Sequence, residues 1–136
     1  MADTLRLEII TPLEIAFAED VHMVTLPGVE GEMGIYPHHM RLITQIVPGE
    51  IIVNKDGQDR SLAVGEGLVD ISATRVSIVT DMAIPADKID EAKLEEARQR
   101  AEARLREKIS DEEVATVNAS LARALAQLQV KRRRRV

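Results

Sequence analysis

Gly28, Gly31 and Gly34 are evenly spaced, and His22, His38 and His39 are the only histidines; these six could do chemistry. Glycines that bare backbone amides can cradle a phosphate, and histidines can ligate a metal or move protons. The Gly-x-x-Gly-x-x-Gly spacing is not the dinucleotide fingerprint, whose second glycine follows two positions after the first. It also lacks the Gly-Lys-Ser/Thr ending of a P-loop. Pro37 follows where either motif needs a helix N-terminus to hold the anion. Adjacent His38 and His39 would point to opposite faces of a strand, so only one could join His22. The chain has no cysteine to complete a metal set, and no patterned carboxylates surround the histidines. No Gly-x-Ser-x-Gly elbow and no Ser, His and acid spacing suggests a triad. Asp111, Glu112 and Glu113 open a helix, where the dipole accounts for them. The chain reads as non-catalytic and metal-free. What remains of Leu26 to His39 is a turn-rich surface for a protein neighbour to touch.

The elements that position this stretch fall into two groups. All seven glycines and all five prolines lie at or before Pro85. Residues 1–85 carry five Lys or Arg against thirteen Asp or Glu, whereas residues 86–136 carry thirteen against ten. The net charge of −5 conceals this division, and we place a domain boundary at Ile84–Asp87, giving domains 1–85 and 86–136. Before it, runs rich in Val, Ile, Leu and Thr recur between turn residues: LRLEIIT, VHMVTLP, LITQIV, EIIVNK, RSLAV, GLVDIS and RVSIVTD. Leu5, Leu7 and Ile9 alternate with Arg6 and Glu8, the period of a strand buried on one side. Asp56-Gly57 between two such runs predicts a hairpin. Short, closely spaced strands favour an antiparallel sandwich or flattened barrel, because no helix-length segment separates them.

After Pro85 the period changes. From Asp87 to Ile109, Ile89, Ala92, Ala97, Ala101, Leu105 and Ile109 predict one helix; Ser110 to Glu113 form a capping box, a single cap at which the two helices meet, and Val114, Val117, Leu121, Ala124, Leu125 and Leu128 predict the second. The two read as an antiparallel hairpin. Its alanine-rich seam gains less from burial than one of Leu or Ile, at about 0.8 kcal/mol per methylene. The hairpin is therefore expected to be weakly held and able to open at Ile109–Ser110, with a static hairpin as the alternative. No acid follows Glu113, while Arg123, Lys131, Arg132, Arg133, Arg134 and Arg135 supply positive charge, a pattern suited to an acidic partner. Nucleic acid is disfavoured: the chain is acidic overall and its only aromatics are Phe17 and Tyr36. No apolar run approaches the roughly 20 residues that span a bilayer, and Met1 to Thr11 lacks the pattern of a signal peptide, so we expect membrane contact only through a partner.

LPGVEGEMGIYPHHMRLITQIVPG closely resembles the epsilon-subunit family of the bacterial F-type rotary ATP synthase, where this segment usually reads like L-P-G-x-x-G-E-x-G-I-x-P-G-H-A-P-L-L-T-x-x-x-P-G. MADTLRLEIITP, VGEGLVDI and the IDEAKLEEARQRAEARL helix extend the similarity over essentially the whole chain. The resemblance implies a β-sandwich followed by a helical hairpin, in a non-catalytic central-stalk subunit peripheral to the cytoplasmic face of the inner membrane. It implies that Gly31, Glu32, Gly34 and His39 lie at contacts with the gamma subunit and the c-subunit ring. It further implies that the hairpin can insert into the head of alpha and beta subunits, where cations of the second helix meet an acidic segment of beta and restrain ATP hydrolysis.

Some family members bind ATP on the folded hairpin through an Ile/Leu-Asp-x-x-Arg-Ala motif. Here the matching residues are Ile89, Asp90, Lys93 and Leu94, with Arg100 and Arg123 further on and Gln127 where another arginine is usual. Lysine does not reproduce a bidentate guanidinium contact. We expect no cofactor and at most weak ATP binding; an ATP-sensing module is the alternative function.

Overall fold

The computed structural model describes residues 3–134, with no side-chain description for Arg134. Ten strands come first: β1 Leu5–Ile10, β2 Ile15–Val21, β3 Met23–Gly28, β4 Gly31–Ile35, β5 Leu42–Ile46, β6 Gly49–Lys55, β7 Gln58–Val64, β8 Gly67–Ile71, β9 Arg75–Thr80 and β10 Ala83–Pro85. A single 3-10 turn, Ala86–Lys88, leads to α1 Glu91–Arg106 and α2 Asp111–Arg134. The strands form the expected sandwich, in the order β10-β7-β6-β3-β5-β8-β9-β1-β2, with β4 added to β3. A single residue pair, Gly28 with Ile46, joins β3 to β5 and marks the corner between layers. Alternation works as expected: Leu5, Leu7 and Ile9 point inward with Val24, Leu26, Ile51, Val53, Val76 and Ile78, and the buried cluster they form contains no helical residue.

Asp56 and Gly57 have φ of 54° and 76°, the double left-handed conformation of the two-residue turn that matches strand twist. Three strands escaped the sequence reading. β2 (IAFAEDV) is poor in strong strand formers and half exposed, but full pairing with β1 holds it. β4 lies inside the stretch read as a turn-rich surface, and β10 is only three residues long. One pairing also departs from the antiparallel pattern: β1 lies parallel to β9. The chain has circled the sandwich between them, so β9 arrives running in the direction of β1.

The sheet nearly closes on itself through side chains. Glu19 of β2 accepts from Lys55 Nζ at 2.8 Å and from Arg60 Nη2 at 3.0 Å, and the Arg60 guanidinium sits 5.3 Å from the centre of the Phe17 ring. The hydrogen bond from Lys55, helped by Arg60 and opposed by partial burial, holds the Glu19 carboxyl below the usual carboxylate range. A carboxyl whose pKa is lowered by folding contributes stability above its unfolded pKa, and that stability is lost as pH falls through the lowered folded value. Glu19→Gln should therefore reduce the urea midpoint at about pH 7, and variant and parent should converge as pH falls through the lowered folded pKa, where the carboxyl is protonated in both states. A constant gap between the two across that range would contradict the closure role.

The hairpin departs in detail from expectation. α1 begins at Glu91 rather than Asp87, because Asp90 caps it and Ala86–Lys88 is a separate turn. It ends at Arg106, and a short connection rather than a shared cap leads to α2. Of the capping box, Ser110 Oγ accepts from the Glu113 N–H at 3.2 Å, while the Glu113 carboxylate turns instead to Arg104 Nη2 at 2.6 Å. α1 has no buried residue. The attachment runs through the C-terminal part of α2, where Ala124, Ala126, Leu128 and Val130 are buried and α2 lies over β6 and β7. Val130 packs with Ile89 and Ala63, a cluster separate from the sandwich core.

Candidate functional site

The stretch from Gly28 to His39 divides in two. Its first half is the β3–β4 hairpin arm, turning at Val29-Glu30 with Gly28 opposite Gly31. A Cβ on Gly28 would lie 2.7 Å from the Gly31 carbonyl oxygen, and Gly31 has a φ of 125°, so both ends of this turn require glycine. Beyond the turn the strand period takes over: Ile35 is buried and Met33 partly so, while Glu32 and Gly34 face outward. Glu32 lies opposite Pro27 and shares a small cleft with Glu50, Val130 and Arg133.

The second half is a separate loop. His38, with φ of 70°, donates its N–H to the Ala73 carbonyl at 2.7 Å, and its Nε2 lies 2.8 Å from Asp3 Oδ2. His39 Nδ1 donates to the Met40 carbonyl at 2.6 Å. His22 Nδ1 accepts from the Asp56 N–H at 3.1 Å, at the β6–β7 turn. The histidines thus serve three different backbone or side-chain partners, and among the described residues no group of three or more His, Asp or Glu is placed to hold a metal.

The α2 cations are engaged by the chain's own groups. Arg123 Nη1 meets Asp81 at 3.2 Å and its Nη2 meets Ser120 Oγ at 3.2 Å. Lys131 Nζ donates to the Ala86 carbonyl at 3.4 Å. Arg132 bridges two acids of α1, Glu91 at 3.1 Å and Glu95 at 2.9 Å. Arg133 Nη1 donates to Glu50 at 2.8 Å, where the carboxylate side chain is only 7% exposed. The Glu95 carboxyl is held below its ordinary range, chiefly by Arg98 one turn along α1 and further by Arg132. The side chain of Arg134 and all of Arg135 lie outside the described residues.

The residues matched to a nucleotide motif converge only in part. Ile89 is core and Asp90 is a helix cap, accepting from the Lys93 N–H at 3.2 Å. Lys93 and Arg100 are exposed. Of the matched positions, Leu94, Arg123 and Gln127 line the cleft between the helices and β10, together with Asp81, whereas Ile89, Asp90, Lys93 and Arg100 do not.

A feature that alternation alone assigned to the wet side is an apolar row across the outer face. Ile15 pairs with Ile10, Ile10 with Val79, and Val79 with Leu68, so these four side chains share one face in register. Ile15, Val79 and Leu68 are each more than half exposed. The signal was present in the sequence as aliphatic residues at outward positions of four strands, β1, β2, β8 and β9.

Comparisons with known proteins agree over nearly the full length. Residues 4–86 match the family described as ATP synthase, Delta/Epsilon chain, beta-sandwich domain, and residues 87–132 match its long alpha-helix domain. The ATP synthase epsilon chain of Herpetosiphon aurantiacus is 40% identical over 131 residues, covering 96% of each chain. That of Desulforamulus reducens is 36% identical, covering 95% of this chain and 98% of the relative. Among solved structures, a chain of the Euglena gracilis mitochondrial ATP synthase superposes with a TM-score of 0.74 at 24% identity, covering 88% of this chain and 76% of that one. A chain of the Tetrahymena thermophila mitochondrial ATP synthase central stalk and c-ring assembly gives 0.64 at 10% identity, covering 95% and 97%, a likeness of fold. The two matched domains and the full-length similarity together place this chain in the ATP synthase epsilon chain family.

Proposed function

We propose that this chain is a non-catalytic rotor subunit of the ATP synthase central stalk, coupling c-ring rotation to the catalytic head and restraining ATP hydrolysis through its helices. In this reading the sandwich holds the gamma subunit and the β3–β4 arm, with Glu32 just inside its Val29-Glu30 turn, rests on the c ring. His39 and the flanking glycines Gly31 and Gly34 complete that contact region. The exposed row of Ile10, Ile15, Leu68 and Val79 gives the sandwich an apolar surface of the kind that marks a protein interface. The complex holds the chain at the cytoplasmic face of the inner membrane; among the described residues no helix is long and apolar enough to cross one.

The observation that carries the regulatory part is the state of the α2 cations. Arg123, Arg132 and Arg133 are bound to Asp81, Glu91, Glu95 and Glu50; the arginines stay about one-third to one-half exposed, which keeps each pair weak, although the Glu50 carboxylate is itself buried. An acidic surface on the beta subunit would offer the same cations equivalent partners. Exchange of one acidic set for the other then costs little, and the closed and open hairpins compete for the same charges.

The chain has no cysteine, so single cysteines can be placed cleanly. Glu32→Cys should crosslink to gamma or to a c subunit in the assembled complex, and Arg123→Cys should crosslink to beta when the hairpin is raised. Products lacking all of these partners would overturn the proposal. Glu50→Gln removes an anchor of the closed hairpin while leaving Arg133 intact. At a worth of about 0.5–1 kcal/mol for such a pair, it should deepen inhibition of hydrolysis two- to fivefold, less at high salt. Weaker inhibition in that variant would argue against competition for the cations.

A further inference from the structure

A second cleft, distinct from the one lined by Asp81 and Arg123, lies on the other side of the Ala86–Lys88 turn. It has a volume of about 660 Å³, within the range of small-molecule sites. Its walls come from three segments: Phe17 and the start of β7 on the sandwich, Pro85 to Lys88 in the linker, and Lys131 on α2. Phe17, Leu62, Pro85 and Ala86 supply apolar surface. Ser61 belongs to the lining, yet its residue is only 8% exposed and its Oγ has no hydrogen-bond partner among the described residues. An unpartnered buried hydroxyl is uncommon and costly, and a ligand acceptor over it would remove that cost.

The charges around the cleft favour an anion. Glu19 is shared by Lys55 and Arg60, so that group retains one positive charge. Asp59, which accepts from the Asn54 amide at 2.9 Å, and Asp87 offset Lys88 and Lys131. The local surplus is therefore a single positive charge. Among the described residues Lys88 forms no ion pair and Lys131 meets only the neutral Ala86 carbonyl, so both ammonium groups can turn to a ligand. We infer that this cleft binds a small amphipathic monoanion, a carboxylate on a compact apolar body. Its carboxylate accepts from Ser61 Oγ and Lys131, and its apolar part rests on Phe17 and Pro85. Because the walls belong to sandwich, linker and α2 at once, the ligand binds the closed hairpin alone and stabilises it by linkage. This holds for the isolated chain, whether or not α2 restrains hydrolysis.

The test is a titration of the full-length chain with hexanoate, followed by amide NMR and hydrogen exchange, with hexanol and inorganic phosphate as comparison probes. Saturable shifts should concentrate at Ser61, Leu62, Ala86, Lys88 and Lys131, and exchange at Gln129 and Val130 should slow. Ser61→Ala and Lys131→Gln should each weaken hexanoate about five- to tenfold, with the rest of the spectrum unchanged. Hexanol and phosphate should each bind more weakly than hexanoate. Equal binding of hexanol or of phosphate, shifts centred on Asp81 and Arg123, unchanged affinity in both variants, or no saturable shift would each overturn the inference.

Discussion

Ending the chain at Pro85 should leave a folded sandwich that still assembles, and should raise ATP hydrolysis by the complex about fivefold or more, an ordinary size for coupling between sites. The sandwich core is built entirely from strand residues and does not depend on the helices. What truncation uncovers lies outside the sandwich core: Ser61 and Ala63 on β7, Glu50 on β6, and Met82 and Ile84 at β10. What it removes is the whole of α1 and α2, with Arg123, Lys131, Arg132 and Arg133. The closed hairpin is held by burial of Ile89, Leu128 and Val130, worth about 5–9 kcal/mol together before the cost of ordering two helices. A net attachment well below that gross value leaves the hairpin able to leave the sandwich. Hydrolysis measured on purified complex, with the truncated subunit shown to be present, decides the matter; an unchanged rate would sink the inhibitory role.

Gly67→Ala should destabilise the sandwich by about 3 kcal/mol and lower its melting temperature by about 10–20 °C. A Cβ at Gly67 would lie 2.1 Å from the Val79 carbonyl oxygen and 3.0 Å from Thr80 Cα, both backbone atoms of the paired strand β9. No rotamer relieves a clash with backbone, so β8 and β9 must move apart, and the buried side chains of Val69, Ile71, Val76 and Ile78 move with them. The strain reaches the hairpin too. Thr80 Oγ1 donates to the Glu66 carbonyl at 2.9 Å, tying the start of β8 to the turn that presents Asp81 to Arg123. Gly57→Ala is the natural comparison: its Cβ meets nothing within 4 Å, and the cost is only that of a φ of +76°, about 1–2 kcal/mol. Melting of Gly67→Ala within a few degrees of Gly57→Ala would show that the strand pair yields more readily than its geometry implies.

The core was legible because alternation is local. Leu5, Leu7 and Ile9 declare an inward face within six residues, and Asp56-Gly57 declares its turn within two. The end of the strand region at Pro85 and the cations after Glu113 could likewise be read from composition. β2 and β4 could not: IAFAEDV and GEMGI are weak strand formers, and they become strands because β1 and β3 offer complete ladders. The same limit applied to the candidate site. Sequence reading identified the cations of α2 as a set seeking acids, yet Arg133 finds Glu50 across 83 residues and Arg132 finds Glu91 and Glu95 across 41 and 37.

Thus the sequence alone determined the two-part organisation, the inward faces of its better strands, the lack of catalytic and phosphate motifs, and the positive end of the last helix. Each depends on residue type and short-range spacing. Tertiary structure decided that Asp90 is a cap, that the glycines build a hairpin arm beneath Glu32, that Ile10, Ile15, Leu68 and Val79 align into one row, and that Ser61 lies unpartnered beside Lys131. Those facts depend on which distant segments meet, and long-range contacts arise from the closure of the whole sheet rather than from any local period.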